Sequence, residues 1–111
     1  MDLNEYQARA AATALYPDRG TDGGLSYCAL GVCGEAGEFA NKVKKIIRGD
    51  VYASLAERDA ALIKELGDTL WYLAEAAANL GVSLEFVAEK NLEKLENRKA
   101  AGTVRGEGDN R

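Results

Sequence analysis

The sequence predicts an all-α chain, a four-helix bundle, on three observations. Apolar residues recur at spacings of three and four along most of the 111 residues. Capping residues stand ahead of several of these runs, and glycines follow their ends. No run alternates apolar and polar residues over a useful strand length.

The elements follow in order. Asp2 with Glu5 reads as a capping box opening a helix to about Leu15. Pro17 and the loop YPDRGTDGG then break the chain. A second helix is expected from about Leu25 to Arg48. Leu25, Ala29, Val32, Ala36, Phe39, Val43 and Ile46 form its apolar stripe, and Gly49 stops it. Ser54 with Glu57 opens a third helix, which runs to Leu80 before Gly81. Ser83 caps the fourth, whose seam of Leu84, Ala88, Leu92 and Leu95 fades by Ala100. The tail GTVRGEGDNR has no periodicity. The expected organisation is one domain over 1–101 and a flexible glycine-rich, charged tail over 102–111. A disordered terminus is the plainer reading of Arg105, Asp109 and Arg111, contact with a neighbouring subunit the alternative.

Composition bounds the function. Hydrophobic residues make up 47% of the chain, but many are alanine, which buries little area. A monomer would have a thin core, so a homodimer or homotetramer with a shared core is expected. Alanines dominate the apolar positions of the first helix (Ala8, Ala10, Ala11, Ala12, Ala14) and the end of the third (Ala76, Ala77, Ala78), which suits close contact between subunits. A net charge of −4 argues against nucleic acid as partner. The most apolar stretch, LWYLAEAAANLGV, carries Glu75 and is too short to span a membrane. With no secretory signal at MDLNEYQ, the expected compartment is cytoplasmic. Cys28 and Cys33 point about 140° apart on a helix and read as two buried small hydrophobes. The chain has no histidine, which removes histidine-based triads and Glu-x-x-His di-iron sites. Catalysis must therefore use carboxylates, lysine, tyrosine or a metal.

The segment GEAGEFANKVKK concentrates the chemistry. Glu35 and Glu38 sit about 5–6 Å apart on a helix and repel, yet Lys42 and Lys45 follow on the same stripe. The third helix repeats the pattern with Glu65, Asp68, Tyr72 and Glu75, and the acid pairs read E-A-G-E and E-L-G-D. Asn91, Lys94 and Arg98 form a third polar stripe. One acid pair alone would read as a solvated face. Two pairs, each edging a core face and each with a glycine inside, shift the reading to metal. The stripes are expected to converge at one lip of the bundle. Oxygen-only ligation by four carboxylates suits Mg²⁺, with Mn²⁺ as a substitute. Four carboxylates and two such ions cancel in charge, leaving Lys42, Lys45, Lys94 and Arg98 to attract an anion such as a polyphosphate. For Asn91, Lys94 and Arg98 spacing leaves phosphate contact and a solvated face open. Trp71 and Phe39 read as core rather than base-stacking residues. The interior glycines are expected to admit a close helix or the ligand.

The segments LGVCGEAGEFANKVKK, KELGDTLWYLA and VAEKNLEKLENR resemble the MazG-like nucleoside triphosphate pyrophosphohydrolases over about residues 25 to 100. E-x-x-E and E-x-x-D stand on successive helices with 26 residues (39 to 64) between them. The resemblance implies that Glu35, Glu38, Glu65 and Asp68 ligate Mg²⁺. It implies that Lys42, Lys45, Asn91, Lys94 and Arg98 hold phosphates and that Tyr72 contacts the nucleotide. The implied reaction is attack of water on the α-phosphorus of a nucleoside triphosphate, giving monophosphate and pyrophosphate, with Glu35 or Glu38 taking the proton. It also implies dimers or pairs of dimers in which a neighbour helps close the site. A phosphoribosyl-ATP pyrophosphohydrolase is the nearest rival, and N-L-E-K-L-E-N-R favours the MazG-like reading over it. A non-catalytic helical binding module is the rival from another class.

Overall fold

A computed structural model describes residues 1–110, and the expected all-α architecture is present. Arg111, named with the tail, lies outside the described residues. Four helices follow in order: α1 (Leu3–Ala11), α2 (Asp22–Ile47), α3 (Leu55–Asn79) and α4 (Leu84–Ala101). Each begins where a side chain satisfies an orphan backbone donor. Asp2 accepts from the Glu5 amide, Ser54 from Glu57 and Ser83 from Phe86.

Two boundaries differ from the sequence expectation. Helix α1 ends at Ala11, four residues before Leu15, because Thr13 turns its hydroxyl back onto the Ala10 carbonyl and accepts from Trp71 Nε1 at 2.8 Å. A tertiary contact thus ends the helix before Pro17 could. Helix α2 begins at Asp22, because the Thr21 hydroxyl caps the amides of Gly23 and Gly24. The sequence reading passed over that cap.

The long pair α2 and α3 forms the body. Helix α1 lies across α3 and the start of α4, stitched by Gln7. Its amide nitrogen donates to the carbonyls of Ala74 and Val82, and its oxygen accepts from the Leu84 amide at 3.0 Å. Helix α4 packs on α1 and α3, and among the described residues it makes no contact with α2.

The core within one chain is thin. The buried apolar residues are Ala10, Cys28, Ala74, Ala77 and Leu84. Most leucines along α3 and α4 stay open, including Leu66, Leu73, Leu92 and Leu95, as does Leu80 at the end of α3. The radius of gyration is 16.8 Å, against about 13 Å for a compact chain of this length. Cys28 is fully buried, as expected of a small hydrophobe. Cys33 is exposed, which corrects its reading as buried: five positions along α2 turn it away from α3.

Candidate functional site

The acid pairs face each other because α2 and α3 run side by side through most of their length. Glu35, Glu65 and Asp68 each offer an oxygen within 4.8 Å of the others. Glu38 stands outside this group on the exposed side of α2, one turn beyond Glu35. Three of the four predicted acids are therefore brought together. The crowding registers on Glu35, whose carboxyl is pushed above the usual glutamate range by burial and then by the charges of Asp68, Glu65 and Glu38.

Lys42 answers this charge. Its ammonium donates to Glu65 Oε1 at 2.5 Å, where the Glu65 side chain is only 12% exposed. That bond and the neighbouring acids hold the lysine above its ordinary value, against the opposing effect of burial. Lys45 is exposed near the α2–α3 turn, where the Arg48 guanidinium bonded to Asp50, and after it the Lys45 charge, hold the Asp50 carboxyl below its ordinary range.

The α4 stripe faces elsewhere within the chain. Lys94 and Arg98 both pair with Asp109 of the tail, at 3.2 and 3.3 Å, and Asn91 is exposed. The expected convergence of three stripes is thus limited, in one chain, to α2 and α3. The reason is packing: α4 crosses the far end of α3 without reaching α2.

Tyr72 bridges the acids to an aromatic cluster. It lines one cavity with Glu35, Asp68, Thr13 and Trp71, and an adjoining one with Tyr16 and Tyr27. Gly31 makes this possible, because a Cβ there would collide with the Tyr72 ring. Gly31 thus meets the expectation of a close helix, while the glycines in and beside the acid pairs leave the alternative, room for a ligand, open. Gly34, Gly37 and Gly67 have open space where a Cβ would stand, so no helix of this chain approaches them.

Glu75, read as the end of the α3 acid stripe, belongs to a separate buried network. Its carboxylate accepts from Arg19 Nε and Tyr16 hydroxyl, each at 2.7 Å. Asn79 donates to the Tyr16 oxygen and accepts from the Gly20 amide, tying the glycine-rich loop to α3. Burial pushes the Glu75 carboxyl up, but its bonds to Arg19 and Tyr16 outweigh burial and hold it below the usual range. The sequence reading missed Tyr16, Arg19 and Asn79. The available signal was a lone glutamate inside the apolar run LWYLAEAAANL, which demands a buried partner.

The donor set at the α2–α3 site consists of carboxylate oxygens alone, with no imidazole or thiolate among them. An octahedral Mg²⁺ at about 2.0–2.1 Å from each ligand separates neighbouring oxygens by about 3 Å. One oxygen from each of the three carboxylates lies within 4.8 Å of the others, so in chemistry and proximity the residues fit a hard divalent cation.

Residues 25–102 match the MazG nucleotide pyrophosphohydrolase domain, a span that contains both acid pairs and all of α4. The chain is also similar to the gene 37 protein of Mycobacterium phage L5, 46% identical over 114 residues with both chains covered in full. No solved structure matches. Among the described residues no helix is long and apolar enough to cross a membrane. With its acid pairs on adjoining helices inside the matched span, the chain belongs to the MazG nucleotide pyrophosphohydrolase domain family.

Proposed function

We propose that this chain is a Mg²⁺-dependent nucleoside triphosphate pyrophosphohydrolase that converts a ribo- or deoxyribonucleoside triphosphate to monophosphate and pyrophosphate, in nucleotide-pool cleansing or regulation. The observation that carries this reading is the meeting of Glu35, Glu65 and Asp68 across α2 and α3. Those three residues would hold the cation, with Glu38 within one helical turn. When bound, the ion supplies positive charge to phosphate oxygens and makes water more acidic.

The chain's own residues supply the rest. Glu38 lies outside the three-acid group and is the carboxylate free to accept the proton of the attacking water; Glu35 is the alternative. Lys42 balances the acids through its pair with Glu65 and, if a cation were held there, would be free to turn to a phosphate oxygen. Lys45 adds positive charge one turn further along. Tyr72 stands beside Glu35 and Asp68, where it meets the nucleoside end of the substrate.

Assembly belongs to the same proposal. The open leucines of α3 and α4 and the alanine-rich faces would be covered in a homodimer or homotetramer. In that assembly Asn91, Lys94 and Arg98 would serve the phosphates at a neighbour's acid site, releasing Asp109. The compartment proposed is the cytoplasm.

Pyrophosphate release, coupled to inorganic pyrophosphatase and measured over canonical and damaged nucleoside triphosphates with Mg²⁺, tests the reaction. Phosphoribosyl-ATP as a parallel substrate separates the nearest rival, and no turnover on any substrate would favour a binding module. Light scattering at micromolar concentration should report at least a dimer; a fully active monomer would end the shared-core argument.

A further inference from the structure

The tail that follows α4 turns back onto the helix it leaves. The Thr103 amide donates to the Arg98 carbonyl at 2.8 Å, and positive φ at Gly106 and Gly108 lets the chain reverse. Between helix and tail lies a cavity of about 520 Å³, lined by Lys94, Asn97 and Arg98 of α4 and by Asp109 and Asn110 of the tail. Volumes of about 300–1,000 Å³ are ordinary for small-molecule sites.

One carboxylate oxygen carries the ionic contact. Asp109 Oδ1 accepts from Lys94 Nζ at 3.2 Å and from Arg98 Nη2 at 3.3 Å, while Nη2 also donates to the Gly108 carbonyl at 3.2 Å. These are long for charge-assisted bonds, which usually measure about 2.7–2.9 Å. The Lys94 ammonium, and after it the Arg98 guanidinium, hold the Asp109 carboxyl below its ordinary range. Yet the Asp109 side chain is 84% exposed, so water competes for it. Arg98 is the opposite case. Its side chain is only 7% exposed, and its Nε is buried with no hydrogen-bond partner among the described residues. A buried guanidinium short of acceptors carries a cost that an anion with more oxygens would relieve. The tail thus fills the cation pair loosely and incompletely.

We propose that the tail is a tethered competitor for phosphate: Asp109 occupies the Lys94–Arg98 cation pair in the resting chain and must leave before a triphosphate can use it. The inference rests on the reading that these cations serve the substrate's phosphates, and it adds an autoinhibitory contact to that reading. Short flexible tethers hold their ends at an effective concentration on the order of millimolar. Such a competitor weakens apparent anion binding in proportion to the time it occupies the site. A single carboxylate yields to a triphosphate, which brings more charge and more oxygens, so substrate opens the site for itself.

Calorimetry of the full chain with inorganic triphosphate and Mg²⁺ reads this competition without turnover. Asp109→Ala should tighten triphosphate binding by about 3–10-fold, the scale of two exposed ion pairs. The control is Glu107→Gln, which removes a charge of the same sign from an exposed tail position, and its effect should stay below about twofold. With a nucleoside triphosphate as substrate, Asp109→Ala should lower KM by a similar factor and leave kcat unchanged. Trypsin cleavage after the exposed Arg105, followed by intact mass, reports on the tail itself. Triphosphate should speed that cleavage in the parent, whereas Asp109→Ala should be cut quickly with or without it. Equal triphosphate affinity in Asp109→Ala and the parent, beside weakened binding in Lys94→Ala, would overturn the competitor and keep Lys94 as a phosphate contact. Equal gains from Asp109→Ala and Glu107→Gln would also overturn it, since general charge would then suffice. Unchanged binding in Lys94→Ala would overturn both the competitor and the phosphate contact. Tail release by triphosphate in a chain that hydrolyses no nucleotide would refute the catalytic reading and leave the competitor in place.

Discussion

Near its middle, α3 sets Glu65 and Asp68 against Glu35 of α2, while two turns on the same stripe sets the Glu75 carboxylate against Arg19 and Tyr16. The residue types are alike and the outcomes are opposite. At the first place acids face acids, with Lys42 paired to Glu65 among them, and the Glu35 proton is held more tightly than usual. At the second, a fully buried carboxylate is bonded on both oxygens and its proton is held more loosely. Burial alone would raise both groups, so the difference comes from what faces them. The first cluster stores repulsion that a cation would relieve. The second spends its charge on holding a loop in place.

Substitutions can break this comparison, and the largest effect is expected at the first cluster. Asp68→Asn removes a charge from the proposed cation site, and kcat/KM should fall by more than about 100-fold while circular dichroism stays that of the parent. Wild-type turnover in that variant would dissolve the distinction between the clusters.

At the second cluster the cost should appear in stability. Glu75→Ala strands the Tyr16 hydroxyl and one face of Arg19, whose side chain keeps partial access to water. Urea unfolding should show a loss of about 2 kcal/mol. A loss below a few tenths would mean that the loop is held by other contacts.

The pH dependence sharpens the same contrast. Glu75 has its carboxyl lowered in the folded state from an ordinary value of 4.5. The stability it contributes is present above that value and is lost as pH falls through the lower folded-state value. The urea midpoint of the parent should therefore exceed that of Glu75→Gln at pH 6 and approach it near pH 3. A gap that persisted at pH 3 would assign the difference to packing.

The smallest effect is expected from Glu35→Gln without metal. Relief of repulsion should raise the melting temperature by about 2 °C, and added Mg²⁺ should stabilise the variant less than the parent. Melting below the parent in the absence of Mg²⁺ would show that Glu35 is not under repulsion.

Helix placement was legible because caps and apolar spacing are local. Asp2, Ser54 and Ser83 act through amides three residues away, within reach of any reading along the chain. Thr13 was not legible in this way, since its partner Trp71 lies 58 positions on. The acid pairs were legible as candidates, because two like-charged pairs beside apolar faces contradict what a stable helix needs. Which acids meet was not. Glu38 and Glu35 differ by one helical turn, and only the approach of α3 selects Glu35 for the cluster.

By itself, the sequence determined the helices, the all-oxygen chemistry and the two acid pairs, since spacing and residue type act over a few residues. Tertiary structure alone decided that Glu75 leaves the acid stripe for Arg19, that Gly31 rather than Gly37 or Gly67 admits a neighbour, and that α4 stays away from α2. Those outcomes depend on how two helix surfaces meet, and a rotation or slide of one turn exchanges one facing set of residues for another.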